Sequence, residues 1–130
     1  MKKLLLVFLF GCAACTTEAH DPAGSQAQSS PGKLLADIKR AIGTPTCSSN
    51  AECRTLPVGA LACGGPDAYL AWSTRHGDEG ALRALSERSK TARQEEIKRT
   101  GEMSICIHRP DPGASCVAGT CQVNTTSPAV

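Results

Sequence analysis

Cysteine is the residue type that carries most of the chemistry available to this sequence. The chain of 130 residues contains eight cysteines. Two of them, Cys12 and Cys15, lie near the N-terminus. The other six are spread over the rest of the chain: Cys47, Cys53, Cys63, Cys106, Cys116 and Cys121. A cysteine thiol can be acylated, oxidised to a disulfide, or used as a metal ligand or redox group, and the residues around it decide between these uses.

The residues before Cys12 are typical of an export signal. Two lysines follow the initial methionine, and the apolar run 4–10 and Gly11 come next. This run is far shorter than the roughly 20 residues that a permanent membrane-spanning helix needs. The segment resembles a bacterial lipoprotein signal, which implies cleavage after Gly11 and a diacylglyceryl group on the thiol of Cys12. Cys15, which follows two alanines, is the alternative site, and secretion without an anchor is a third alternative.

The residues that follow the anchor predict where the protein resides. The residue after either candidate cysteine is Ala13 or Thr16, and neither is the aspartate that resembles an inner-membrane retention signal. The outer membrane, facing the periplasm, is therefore the expected location. Residues 12–30 are interpreted as the lipidated cysteine and a flexible tether, because residues 16–30 contain no aliphatic residue larger than alanine. Several acyl chains hold a protein on a membrane almost permanently, so the membrane is an expected partner.

The six remaining cysteines are expected to form three disulfides. An even number of cysteines in an exported chain indicates an oxidising compartment. The core of the predicted domain is thin, since its only aromatic residues are Tyr69 and Trp72, and a small domain with little apolar area needs cross-links. Each disulfide adds about 2–4 kcal/mol, mainly by constraining the unfolded chain. We therefore expect no free thiol among the six.

Six cysteines allow 15 sets of disulfide pairs, and the sequence does not select one of them, although geometry favours some. Ser49 and Glu52 have the spacing of a capping box, so a helical turn is predicted between Cys47 and Cys53. Such a turn separates these two cysteines by up to about 9 Å at about 1.5 Å per residue, beyond the roughly 7 Å Cα limit for a disulfide. The favoured pairs are then Cys47–Cys116, Cys53–Cys121 and Cys63–Cys106. The alternative pairs are Cys116–Cys121, across a hairpin, and Cys47–Cys53, around a loop.

Two helices are predicted around these cysteines. The first covers residues 31–42, with Ser30 as its N-cap, proline in the first turn and Gly43 at its exit. Its apolar stripe consists of Leu34, Leu35, Ile38 and Ile42. The second helix covers residues 78–100 and ends before Gly101. Along the side traced by Leu82 and Leu85, the apolar residues lie in the first half, and the nearly all-polar second half is expected to lie largely in solvent.

Short extended segments complete an α+β domain. The candidates are an extended segment at 54–63, strands at 69–72 and 103–108, and a hairpin over 115–123 that turns at Ala118-Gly119. They predict a small disulfide-stapled domain with two helices and an antiparallel sheet of about three strands. The expected boundaries are a signal peptide at 1–11, the lipidated cysteine and tether at 12–30, the globular domain at 31–124 and a loose tail at 125–130.

The cysteines and their neighbours also carry a resemblance. The motifs are Cys47-x5-Cys53-Arg54, Cys63-Gly64-Gly65-Pro66 with Tyr69, Ser104-x-Cys106, and Pro110-Asp111-Pro112-Gly113-x-x-Cys116-x-x-Gly119-x-Cys121. In combination they resemble a family of small, uncharacterised proteobacterial exported proteins that are often lipoproteins. The resemblance covers roughly residues 47–121. It implies a domain type and a location, and it brings no activity with it.

The other residue types provide no catalytic or cofactor motif. His20, His76 and His108 do not form a metal-ligating set, and no nucleophile elbow, Walker loop or dinucleotide fingerprint occurs in the sequence. The net charge of +2 is small, and acids are interleaved with the bases, which argues against a nucleic-acid partner. Tyr69 and Trp72 are candidates for a sugar- or peptide-binding surface, or for the core.

Together, these observations favour a binding protein over an enzyme. The expected function is that of a non-catalytic, membrane-tethered periplasmic lipoprotein that binds or scaffolds envelope components, with an envelope protein or glycan as partner. The alternative is an inhibitor or immunity-type lipoprotein that blocks a hydrolase or toxin in the periplasm. Small size, disulfides and an anchor suit this alternative too. An enzyme is the third class, and no set of residues points to a reaction.

Overall fold

The computed structural model describes residues 29–125. The predicted signal peptide, the predicted lipidation sites Cys12 and Cys15, most of the predicted tether and residues 126–130 lie outside this range. The elements, in chain order, are α1 (Pro31–Ile42), a 3₁₀ turn (Asn50–Glu52), β1 (Cys53–Val58), β2 (Ala68–Ser73), α2 (Glu79–Thr100), β3 (Ala114–Val117) and β4 (Thr120–Val123). The predicted α+β class with two helices is confirmed.

Three layers make up the fold, with the β1–β2 hairpin in the middle. One face of this hairpin packs on the two helices, where Ile38 of α1 and Leu82 of α2 meet Leu56, Val58 and Trp72. The opposite face packs on the β3–β4 hairpin through a second cluster. This second cluster consists of Cys47, Cys53 and Cys121, with Ala71, Ala114 and Cys116 packed against it. Because successive side chains of a strand point to opposite faces, one short hairpin supplies both cores.

Both helices begin and end where their capping residues predict. The Ser30 hydroxyl accepts a hydrogen bond from the backbone N–H of Lys33 at 3.3 Å, and Gly43 ends α1 with φ 60°. At the start of α2, the Asp78 carboxylate accepts from the N–H of Ala81 at 3.0 Å. Gly101 ends α2 in the left-handed conformation, with φ 69°. These positive φ angles are the reason for glycine at both exits.

In α2, none of residues 90–100 is buried, as predicted for the polar second half, and the buried polar residues lie in the first half. Ser86 and Ser89 are both buried, because they cover the edge of β1 that faces away from β2. The Ser86 hydroxyl donates to the carbonyl of Pro57 at 2.5 Å, and the Ser89 hydroxyl accepts from the N–H of Gly59 at 3.2 Å. A helix whose side chains bond the free backbone groups of a strand edge also protects that edge from pairing with another chain.

Two of the predicted strand features are wrong. The segment 103–108 is not a strand, and the strands form two separate two-stranded antiparallel sheets instead of one sheet of about three strands. The segment is attached through the disulfide between Cys106 and Cys63, in the loop between β1 and β2, and no described backbone–backbone hydrogen bond joins residues 103–108 to either hairpin. The predicted β3–β4 turn is confirmed, and Ala118 and Gly119 both have the positive φ that a two-residue hairpin turn of this type needs.

The predicted helical turn before β1 is confirmed, but its predicted capping box is not. Ser49 makes no side-chain cap bond. The Glu52 carboxylate accepts instead from the backbone N–H of Ser48 at 2.7 Å. The turn is a short 3₁₀ turn, Asn50–Glu52, and the N–H that donates to Glu52 belongs to the residue before the expected donor, Ser49.

Gly77 is expected to tolerate no side chain, because the core tryptophan occupies the space. A Cβ there would lie 2.5 Å from Cε3 of Trp72 and 3.0 Å from the carbonyl oxygen of Ser73. Gly77→Ala should therefore lower the free energy of unfolding by about 1–3 kcal/mol. Gly32→Ala is the matched control, since a Cβ there meets nothing within 4 Å, and it should raise that free energy by about 0.4–1 kcal/mol. Chemical denaturation of both variants measures the difference, and equal stabilities would contradict this packing.

Candidate binding site

The six cysteines form three disulfides, with the pairing that the helical turn favours. Cys47–Cys116, Cys53–Cys121 and Cys63–Cys106 have Cα separations of 5.9, 5.4 and 5.4 Å. The first two lie side by side and fasten residues 47–53 to the β3–β4 hairpin. The sulfurs of Cys47, Cys53 and Cys121 lie within 4.8 Å of one another. Because all three sulfurs are already in disulfides, none is a thiolate that could ligate a metal.

The third disulfide differs from the other two in its surroundings. Cys63 and Cys106 are both exposed to solvent, whereas Cys53 and Cys121 are buried. The Cys63–Cys106 disulfide joins the turn after β1 to the segment between α2 and β3. We call residues 102–109 of that segment the clamped loop.

Three large apolar side chains of the clamped loop project into solvent. Met103 is 92% exposed, Ile105 80% and Ile107 56%. The residues between them point the other way, since Ser104 is half-buried and Cys106 is bonded to the body. This alternation is that of an extended chain with one face on the protein and one face in water. Large apolar side chains gathered on a surface are characteristic of contact sites.

Polar contacts fix both ends of the clamped loop. At its start, Arg93 of α2 donates to the Glu102 carboxylate, and this hydrogen bond raises the pKa of the Arg93 guanidinium. At its end, the Tyr69 hydroxyl donates to the carbonyl of Arg109 at 3.3 Å, and Arg109 itself donates to the carbonyl of Asp67 at 3.2 Å. With the disulfide between them, these contacts hold the loop while its apolar side chains stay in water.

Just beyond the clamped loop, the chain is fastened to β1. The hydroxyl of Thr55 donates to the carboxylate of Asp111 at 2.6 Å. The other oxygen of Asp111 accepts from the N–H of Gly113 at 2.8 Å, within the predicted Pro-Asp-Pro-Gly turn. These contacts fix the chain at Asp111, between the clamped loop and β3.

Tyr69 and Trp72 do not form one aromatic platform. They lie three residues apart on β2, so their side chains are on opposite faces of the strand. Trp72 is 4% exposed and belongs to the core between the hairpin and the helices. Tyr69 is half-buried, and its hydroxyl helps to position the clamped loop. Its role in the site is therefore to support the loop and not to stack on a ligand beside Trp72.

A groove lies between α2 and β1. Its volume is about 390 Å³. Its charged side chains are engaged with neighbouring groups of the protein. Arg83 donates to Glu79 at 2.6 Å, and Arg54 donates to the carbonyls of Ala51 and Cys53 at 2.8 Å. The Arg83–Glu79 pair is an ordinary i,i+4 surface contact of a helix. The groove therefore has fewer unengaged groups for a ligand than the clamped loop has.

Comparison with models of known protein families, with curated proteins and with solved structures gave no significant match. The resemblance that the cysteine motifs carry therefore stays a prediction. In residues 29–125, neither helix combines the length and the apolar character that crossing a membrane requires. Among the described residues, the clamped loop is the feature that most favours binding. Its signal in the sequence was the alternation of Met103, Ile105 and Ile107, the same pattern that predicted a strand.

Proposed function

We propose that the protein is a membrane-tethered periplasmic lipoprotein that acts as a non-catalytic binding module of the cell envelope, with the clamped loop as its recognition element. The observation that carries this proposal is the exposure of Met103, Ile105 and Ile107 on a loop whose ends and middle are fixed. A fixed apolar loop loses little conformational entropy when a partner covers it, which favours binding.

Two further features support the anchor and the compartment. Three disulfides agree with an exported chain in an oxidising compartment. Cleavage of the segment that resembles a lipoprotein signal leaves Cys12 as the acylated anchor, and the residues up to 30 form the tether. The described part of the chain begins at Ser29, which lines a shallow cleft with Glu95 and Arg99 near the end of α2. Met103 follows Arg99 by four residues, which span at most about 14 Å. Met103 and Ser29 therefore lie near the same end of the domain, so a partner on the same membrane is within reach of the loop.

The second candidate function is that of an inhibitor of a periplasmic hydrolase or toxin. The same loop favours it, because an extended segment with exposed alternate side chains and a disulfide close to its centre can occupy the cleft of another protein. Binding would then block the cleft. The two functions share the loop and differ in what the partner does, so identification of the partner decides between them.

Removal of the apolar side chains of the clamped loop should abolish partner binding without unfolding the protein. Met103→Ser, Ile105→Ser and Ile107→Ser are combined in one variant, and Val117→Ser, at a 48% exposed apolar position on β3, is the matched control. Each buried side chain of this size contributes about 1.5–3 kcal/mol, so the triple variant should bind at least about a hundredfold more weakly. The envelope protein that stays bound to the wild-type lipoprotein during purification serves as the partner. The measurement is the affinity of the wild-type protein, the triple variant and the control variant for that partner.

Mass spectrometry of the same wild-type preparation tests the anchor. An acylated N-terminal cysteine at Cys12 or Cys15 is expected in the outer-membrane fraction. An unlipidated protein with its signal intact would remove the tether from the proposal. Equal binding by the wild-type protein and the triple variant would remove the loop from it.

A further inference from the structure

We infer that the clamped loop binds by strand addition: residues 103–107 pair as an extra strand with an exposed strand edge, or an extended cleft, of a protein partner. This inference rests on the proposed function, because it takes the loop as the recognition element. It adds the kind of partner and the geometry of contact. The partner supplies backbone donors and acceptors along one line, together with apolar pockets at alternate positions.

Side-chain alternation is the first observation behind this inference. Met103, Ile105 and Ile107 face outward, and Ser104 and Cys106 face the body. In an extended chain, side chains two residues apart lie about 7 Å apart on the same face. A partner strand or cleft presents pockets at that interval. Recognition by strand addition draws its specificity from alternate side chains of this kind.

The backbone of the segment is the second observation. Across residues 103–108, the one backbone–backbone hydrogen bond described joins the N–H of Ile107 to the carbonyl of Ile105, and the segment lies in neither sheet. The N–H groups of residues 103–106 make no described hydrogen bond and are open to a partner, whereas the Ile105 carbonyl and the Ile107 N–H are engaged with each other. Unpaired strand-like backbone is a template for pairing with another chain.

These two observations together favour a protein over a lipid bilayer. Apolar side chains alone would suit either partner. In hydrocarbon, however, each peptide group without a hydrogen bond carries a large cost, whereas a strand edge pairs with the peptide groups and covers the side chains. The clamp at Cys106 and the Arg93–Glu102 contact hold the segment in place before binding, which lowers the ordering cost.

Site-specific photo-crosslinking in producing cells tests the inference on the full chain. A benzophenone amino acid replaces, one at a time, Met103, Ile105, Ile107, inward-facing Ser104 and the distant control Val117. Intact mass under non-reducing conditions verifies that each variant keeps its three disulfides. The expected result is crosslinking from 103, 105 and 107 to one strand or cleft of one protein, at least tenfold stronger than from 104 or 117.

The other outcomes separate this inference from the proposed function. Crosslinks from 103, 105 and 107 to lipid would overturn strand addition in favour of membrane contact. Crosslinks to a helix or an irregular surface of a protein, or equal yields from 103 and 104, would overturn strand addition and leave the binding module standing. An absence of any product from 103, 105 and 107 would overturn both. An unlipidated protein in the soluble fraction would contradict the anchor alone.

Discussion

Complete reduction of the three disulfides is expected to unfold residues 29–125 at room temperature. The cluster between the two hairpins consists mainly of cysteines, with Cys47, Cys53 and Cys121 as its buried members. The other cluster contains only two large side chains that are fully buried, Ile38 and Leu82. Reduction therefore removes the cross-links from a layer that has little other apolar material.

The stability that three disulfides add is comparable to the whole stability of a small domain, which favours unfolding over a local loss of order. Each disulfide adds about 2–4 kcal/mol, so three of them add about 6–12 kcal/mol. The whole stability of a typical domain is about 5–15 kcal/mol. A domain with this small a core has little left once the cross-links are gone.

Circular dichroism in the presence and absence of a phosphine reductant measures the effect on the mature protein. Thiol labelling of the native, unreduced protein is the companion measurement, and no label on Cys47, Cys53, Cys63, Cys106, Cys116 or Cys121 is expected. A native spectrum that persists after all six thiols have been labelled would show that the apolar clusters suffice. Labelling of two or more of the six before reduction would contradict the three disulfides.

The elements that carry local signals could be predicted from the sequence. Ser30 and Asp78 cap the two helices, Gly43 and Gly101 end them, and Ala118-Gly119 turns the last hairpin. Each of these signals acts within four residues, so no knowledge of the remaining fold is needed. The disulfide pairing also followed from a local feature, because the turn between Cys47 and Cys53 favoured partners elsewhere in the chain.

The clamped loop could not be predicted, because the alternation of its side chains is also that of a strand. Met103, Ile105 and Ile107 have the period of two that a half-buried strand would show. Whether such a segment joins a sheet depends on distant residues. Here the Cys63–Cys106 disulfide and the Tyr69 hydroxyl attach the segment to the β1–β2 hairpin without a backbone ladder. The burial of Ser89 escaped prediction for a similar reason, since its partner is the backbone of Gly59, thirty residues earlier.

The exposed Cys63–Cys106 disulfide is expected to be reduced before the other two. A dithiol reductant attacks one sulfur as a thiolate, forms a mixed disulfide and releases the other cysteine as a thiolate. Its second thiol then closes the reductant's own disulfide and frees the second cysteine. This attack needs access to sulfur, and only the Cys63–Cys106 pair has both residues exposed. At limiting dithiothreitol, reduction of this pair should be faster than reduction of Cys53–Cys121 by about an order of magnitude or more.

The product of this first step should keep its fold and lose the order of the clamped loop. Neither apolar cluster includes Cys63 or Cys106, so circular dichroism should change little. Hydrogen exchange at Ile107, the amide of this loop with a described backbone hydrogen bond, should become faster, because the loop then depends on the contacts of Glu102 and Arg109 alone. The Cys63→Ser/Cys106→Ser variant is the matched control and should show the same exchange without reductant. If peptide mapping found the first two thiols at Cys53 and Cys121, accessibility would not govern the order of reduction. The Cys63–Cys106 disulfide orders the loop before binding and so lowers the entropy cost of binding. The partly reduced protein should therefore also bind the partner more weakly than the oxidised protein does.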